Sequence, residues 1–140
     1  MSGEPRTTDA DRGLRVLGIE GTAWAASAAV YDTAATDSES VFIETDAYQP
    51  ESGGIHPREA AEHMSDAIPE VVETALAAAD GEIDAVAFSR GPGLGPCLRT
   101  VGTAARALAQ TLDVPLVGVT TWSRTSKSAA SSRVSTRRSV

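Results

Sequence analysis

Lysine is all but missing from this chain of 140 residues: Lys127 is the only one. Cysteine is as scarce. Cys97 has no second thiol to pair with, so an internal disulfide is excluded and no zinc-type cysteine cluster can form. No apolar run approaches the length needed to span a bilayer. Residues 1–13 are polar and acidic and lack the apolar core of a secretory signal, so they read as a disordered lead-in. These absences point to a cytoplasmic protein. The length fits one domain at most, with a small core.

What charge there is divides unevenly. All 19 Asp and Glu lie at or before Asp113, set against seven Arg and no Lys in residues 1–119. Residues 120–140 carry Arg124, Lys127, Arg133, Arg137 and Arg138 and no acid. Many acids with almost no lysine is the composition of a protein adapted to high salt, where screening limits self-repulsion. The alternative is an ordinary acidic protein. Such an acidic half argues against non-specific nucleic-acid binding, although it is compatible with a local basic site.

Along the chain, residues 14–20, 25–31 and 41–48 are apolar or β-branched runs separated by turn residues. They predict three strands in an antiparallel meander. Gly53 and Gly54 mark a turn, and Pro57 suits the first position of a helix. Glu59 and Glu62 suit the positive end of that helix. Ala60, Met64, Ala67, Ile68, Val71, Val72, Ala75 and Leu76 recur at three- and four-residue spacing, the mark of an amphipathic helix. Pro69 is expected to kink or split it, and Asp80-Gly81 to end it. Residues 83–88 read as a central parallel strand, 89–96 as a loop, 98–112 as a second helix and 114–119 as another buried strand. The order βββαβαβ is that of an α/β domain with right-handed crossovers. It fits the ribonuclease-H-like half of the actin-like ATPase (ASKHA) fold. Other mixed α/β folds fit too, so the pattern indicates class and not function. The Ser- and Thr-rich residues 120–140 show no helical or strand period and read as a disordered basic tail.

Three segments could carry chemistry. In Leu17-Gly18-Ile19-Glu20-Gly21-Thr22 a strand ends in an acid and a Gly-Thr turn, which can hold a phosphate or a metal-bound water. From spacing alone, a plain hairpin turn with a solvated Glu is the expected reading. In Arg90-Gly91-Pro92-Gly93-Leu94-Gly95-Pro96, three Gly and two Pro give a stiff loop with close backbone access to a helix N-terminus that can take an anion. It is neither a Walker loop nor the dinucleotide fingerprint, and a rigid strand-to-helix connection is the plainer alternative. Arg90 and Arg99 flank it and could pair with phosphate. The third segment, residues 53–63, holds His56 and His63. They are seven apart and match no zinc-ligand spacing, so structural or solvated histidines are expected. Cys97 stands at a helix start, which could lower its pKa; a packing role is the expected one.

Together these segments resemble the N-terminal motifs of the tRNA threonylcarbamoyltransferases, the TsaD-like family, in their archaeal form. Gly53-Gly54-Ile55-His56-Pro57-Arg58-Glu59-Ala60-Ala61 and Arg90-Gly91-Pro92-Gly93-Leu94-Gly95-Pro96 are the specific matches. The likeness covers residues 15–119. It implies a two-lobed actin-like fold that binds ATP or threonylcarbamoyl-adenylate in the interlobe cleft. It implies a cleft iron or zinc, held by a His-x-x-x-His helix of the first lobe and an Asp of the second. The implied reaction moves threonylcarbamoyl to the adenosine beside the anticodon, in tRNAs that read codons beginning with A. The implied partners are tRNA and the KEOPS subunits, including a kinase-like protein that is sometimes fused to family members. On this chain the likeness makes Glu20, Gly21, Thr22, Arg90, Gly91, Gly93 and Gly95 the candidates for the nucleotide and substrate cleft. It assigns no catalytic residue and no metal ligand here.

The departure comes after Val119. Where the family continues with a segment like Asn-His-Met-Val-Ala-His-Leu-Glu-Ile-Gly-Arg, this chain has Thr120-Thr121-Trp122-Ser123-Arg124-Thr125-Ser126-Lys127-Ser128-Ala129-Ala130. One adenine added before the codon of Thr120, with the frame regrouped, can spell the family segment residue for residue. Third bases are free in that exercise, but the observed residues set most of the others. A one-base deletion near Val119 is therefore expected, with residues 120–140 an out-of-frame tail whose charge is an accident of G+C-rich codons. The resemblance implies an acyltransferase, yet this chain lacks both metal histidines and the second lobe, so an inactive fragment is expected. The alternatives are a non-catalytic relic, a module that binds a KEOPS subunit, or a different actin-like phosphotransferase such as a small sugar or acetate kinase.

Overall fold

A computed structural model describes residues 13–35, 41–79 and 82–120. The expected lead-in, the helix stop at Asp80-Gly81 and the basic tail fall outside the described residues, apart from Gly13 and Thr120. The elements are β1 (Arg15–Glu20), β2 (Ala25–Asp32), β3 (Val41–Ala47), α1 (Pro57–Ala78), β4 (Ala85–Gly91), α2 (Gly95–Leu112) and β5 (Leu116–Thr120). The expected order βββαβαβ is the one observed. They build one mixed sheet in the order β3-β2-β1-β4-β5. β1 pairs antiparallel with β2 and parallel with β4, and β5 runs parallel to β4. This topology is ribonuclease-H-like.

The period of two sorts the strands into faces. Leu17 and Ile19 of β1 lie in register with Val30 and Ala28 of β2, and all four are buried on the helix side. Val86 of β4 joins them. Met64, Ile68, Val71 and Val72 of α1 and Cys97, Val101 and Ala105 of α2 close the core over this face. Fully burying a side chain such as Leu17 or Met64 stabilises the fold by about 1.5–3 kcal/mol each. α1 packs on β2 and β3, α2 on β4, and the two helices touch. Both therefore cover the same side of the sheet. The other side shows Gly18, Ser27, Ala29, Ala87 and Val119 around a shallow, largely apolar concavity of about 260 Å³, with Tyr31 and Ile43 exposed beside it.

Several boundaries move. Pro69 does not split α1, which runs unbroken for 22 residues. The proline is on the exposed side, so the carbonyl that loses its donor faces water. β4 begins at Ala85 rather than residue 83, because pairing with β1 starts only at Val16↔Ala85. It also runs on through Ser89 and Arg90 to Gly91, residues that read as loop. Their pairing with β5, up to Gly91↔Thr120 across a register shift, keeps them in the sheet. α2 starts at Gly95, with Pro96 in its first turn, where a missing N–H is tolerated. It ends on Asp113 in the left-handed conformation, φ 54°.

Candidate functional site

The parallel strands β1 and β4 end side by side, Ile19 against Phe88. The turn after β1 and the loop after β4 must therefore meet at that edge, and they do. Glu20 organises the meeting. Its Oε1 accepts the Thr22 N–H at 2.7 Å and the Thr22 hydroxyl at 2.5 Å. Its Oε2 accepts the hydroxyl of Ser89, a side chain that is only 9% exposed. Thr22 in turn accepts the Leu94 N–H on its carbonyl at 2.8 Å. Gly93 lies so close that a Cβ there would stand 2.6 Å from both Thr22 Cβ and the Thr22 carbonyl oxygen. The close approach of the two loops explains the glycine. Gly91 is needed for a different reason: its φ of +136° disfavours any side chain.

Below this junction the turn is seated on the core. Gly21 is buried, and a Cβ on it would stand 3.4 Å from both Ile68 Cδ1 and Met64 Sδ. The structure thus brings Glu20, Gly21, Thr22, Gly91 and Gly93 into one built feature. Arg90 and Gly95 border it and are exposed, as is Arg99. Leu94 caps α2 without a side-chain hydrogen bond. The first turn of α2 therefore has no internal acceptor side chain and can meet an anion with its N–H groups. Glu20 is not the solvated side chain of a plain hairpin turn: it accepts from the Thr22 N–H, the Thr22 hydroxyl and the Ser89 hydroxyl, so the Thr22 N–H is not free to meet a phosphate. Ser89 was missed because a serine ending an apolar run carries no sequence signal of its partner, 69 residues away.

The histidines lie elsewhere. His63 Nε2 is 3.5 Å from Asp46 Oδ1, and its ring centroid is 5.7 Å from that of Tyr48. His56 Nε2 is 3.0 Å from Ser52 Oγ. The Tyr48 phenol donates to Glu59 Oε2 at 3.0 Å. Burial first, and the Glu59 carboxylate second, push its pKa above the usual value. Among the described residues no three His, Cys, Asp or Glu come together as a metal site. The described residues therefore do not supply the ligands of the cleft metal that the resemblance implies. Cys97 is buried in the core, and desolvation pushes its thiol up rather than down, despite the helix start. No helix among the described residues is long and apolar enough to cross a membrane.

Comparison with known proteins identifies the family and the fold. A family model described as TsaD, tRNA N6-adenosine threonylcarbamoyltransferase, matches residues 38–133. The matched span runs past Val119 into the basic tail. A Halobacterium salinarum protein named "Probable bifunctional tRNA threonylcarbamoyladenosine biosynthesis protein" is 78% identical over 106 residues, which is 76% of this chain and 20% of that protein. A protein of the same name from Haloarcula marismortui is 68% identical over 120 residues. The tRNA N6-adenosine threonylcarbamoyltransferase of Methanococcoides burtonii is 54% identical over 111 residues, 74% of this chain and 32% of that protein. This chain thus spans between a fifth and a third of the length of these relatives. Among solved structures, YeaZ from Pseudomonas aeruginosa superposes with a TM-score of 0.58 at 19% identity, over 76% of this chain and 43% of that one. That likeness concerns the fold alone.

Proposed function

We propose a function from one premise: this chain belongs to the tRNA N6-adenosine threonylcarbamoyltransferase family, TsaD. Residues 15–119 form part of the first lobe of a threonylcarbamoyltransferase acting on tRNA. The Glu20–Thr22 turn and the Gly91–Gly95 loop form one wall of its nucleotide and substrate cleft. The observation that carries this is the Glu20 bracket. A carboxylate that holds Thr22 and Ser89 together, with Leu94 tied back to Thr22, makes a stiff edge from two flexible loops. Stiffness of that kind suits a wall that must stay in place while a charged nucleotide binds. When bound, threonylcarbamoyl-adenylate would supply the activated threonylcarbamoyl group, with AMP as its leaving group; ATP would occupy the cleft as a nucleotide alone. This chain's part is to present backbone and helix N–H groups to phosphate and to keep the edge from moving.

The 140-residue chain does not itself complete the reaction. Its only histidines, His56 and His63, do not form the family's His-x-x-x-His pair. Thr120 and the residues after it are the product of a shifted reading frame, a reading that rests on the regrouped codons. Its natural setting is the cytoplasm, where tRNA and the KEOPS subunits, with their kinase-like protein, would be the partners. The test is a chimera in which residues 15–119 replace the matching segment of the Halobacterium relative. It should threonylcarbamoylate tRNA, whereas the 140-residue chain alone should not. A folded but inactive chimera, beside an active parent, would sink the assignment. Sequencing the gene across the Val119 codon checks the frame: an intact frame with no overlapping His-x-x-x-His reading removes the deletion.

A further inference from the structure

Gly118 sits in β5 opposite Phe88 of β4. A Cβ built on it would stand 2.2 Å from Arg90 Cδ and 2.7 Å from Arg90 Cγ. The aliphatic stem of Arg90 therefore lies across the backbone of β5, in a slot that exists because residue 118 has no side chain. The β-bulge supplies the other half of the arrangement. The register between β4 and β5 shifts between Ser89 and Gly91, which leaves Arg90 out of the ladder and turned toward the neighbouring strand. Gly118 takes no left-handed backbone angle. Glycine is unfavourable inside a strand, and with no conformational need for it the close approach of Arg90 is what it serves.

The head of this arginine is exposed at the end of β4, beside the Gly91–Gly95 loop. Arg15 is paired with Asp32 and Arg58 with Glu62, but no described residue makes an ion pair with Arg90. A guanidinium with a seated stem and no carboxylate partner is preorganised to take an anion in its fork. We propose that Gly118 is a positioning residue, which seats Arg90 so that its guanidinium binds a phosphate at the C-terminal edge of the sheet. This rests on the nucleotide-cleft reading above. The phosphate can come from a nucleotide or from an RNA backbone.

The test uses the whole chain at one fixed salt concentration, with two probes, ATP and an unmodified tRNA transcript. Arg90→Ala should weaken binding of one probe about tenfold, the scale of a charge-assisted hydrogen bond at a partly exposed site. Gly118→Ala should weaken the same probe by a similar factor with the circular-dichroism melt unchanged, since the displaced arginine can swing into solvent. The double variant should be no weaker than either single one, and Arg90→Lys should fall between. The arm that responds identifies the source of the phosphate. Independently of any ligand, the Arg90 Nε–H should be ordered by NMR relaxation in the parent and mobile in Gly118→Ala. Equal mobility in the two overturns the seat and leaves the cleft reading standing. An ordered Arg90 in a chain that binds neither probe overturns the anion role, and the cleft reading is then judged by the chimera alone. Binding that Arg90→Ala weakens but Gly118→Ala does not overturns the positioning role alone.

Discussion

Replacing Glu20 with alanine should loosen the two loops and lower stability by an amount the structure lets one estimate. Three donors lose their acceptor: the Thr22 N–H, the Thr22 hydroxyl and the Ser89 hydroxyl. Ser89 is buried, so its orphaned hydroxyl costs about 1–3 kcal/mol. The Thr22 groups are half-buried and water can replace the carboxylate there, so they add roughly 0.5–1.5 kcal/mol between them. The sum is about 1.5–4.5 kcal/mol, which for a domain of this size is a fall in Tm on the order of 6–20 °C. Thermal unfolding by circular dichroism, in constant salt, measures it. Glu20→Gln keeps one carbonyl oxygen for Thr22 and can offer its amide to Ser89 Oγ, so it should lose less than half as much. A Tm for Glu20→Ala within about 2 °C of the parent would refute the bracket, since three lost partners cannot be that cheap.

Three further outcomes are expected. Gly93→Ala drives a Cβ into the backbone of Thr22, which cannot swing away as a side-chain tip can, so it should cost about 1–3 kcal/mol in denaturant unfolding. An unchanged midpoint would mean that the loops have more room than their geometry shows. Met64→Ala opens a hole beneath Gly21, between α1 and the sheet, and should cost about 2–5 kcal/mol. Cys97 should resist alkylation in the native state at neutral pH, because burial raises its thiol pKa and shields it. In denaturant it should react as an ordinary thiol, and rapid labelling of the folded chain would overturn its packing role.

Much of the fold is legible in the residue pattern. Alternation in β1 and β2 and the three- and four-residue spacing in α1 report which face of each element is buried, because burial follows local geometry. The boundaries were less legible. Ser89 to Gly91 read as loop, and only the pairing of Ser89 with Val119 and of Gly91 with Thr120 keeps them in the sheet. Pro69 reads as a break, and its exposed position makes it harmless to the helix.

The sequence by itself determined the class, the order of the elements, the two glycine-rich segments and the family likeness, because each is written in neighbouring residues. It also determined that no disulfide forms within these 140 residues, by offering one thiol. Only the tertiary structure decided what Glu20 does. Its partners stand two and 69 residues further along the chain, and no local pattern says that a serine near the end of β4 will stand beside it. The same holds for Gly93 against Thr22 and for Gly118 beneath Arg90. A missing side chain has meaning only against whatever passes over it, and the parallel pairing of β1, β4 and β5 brings those segments together.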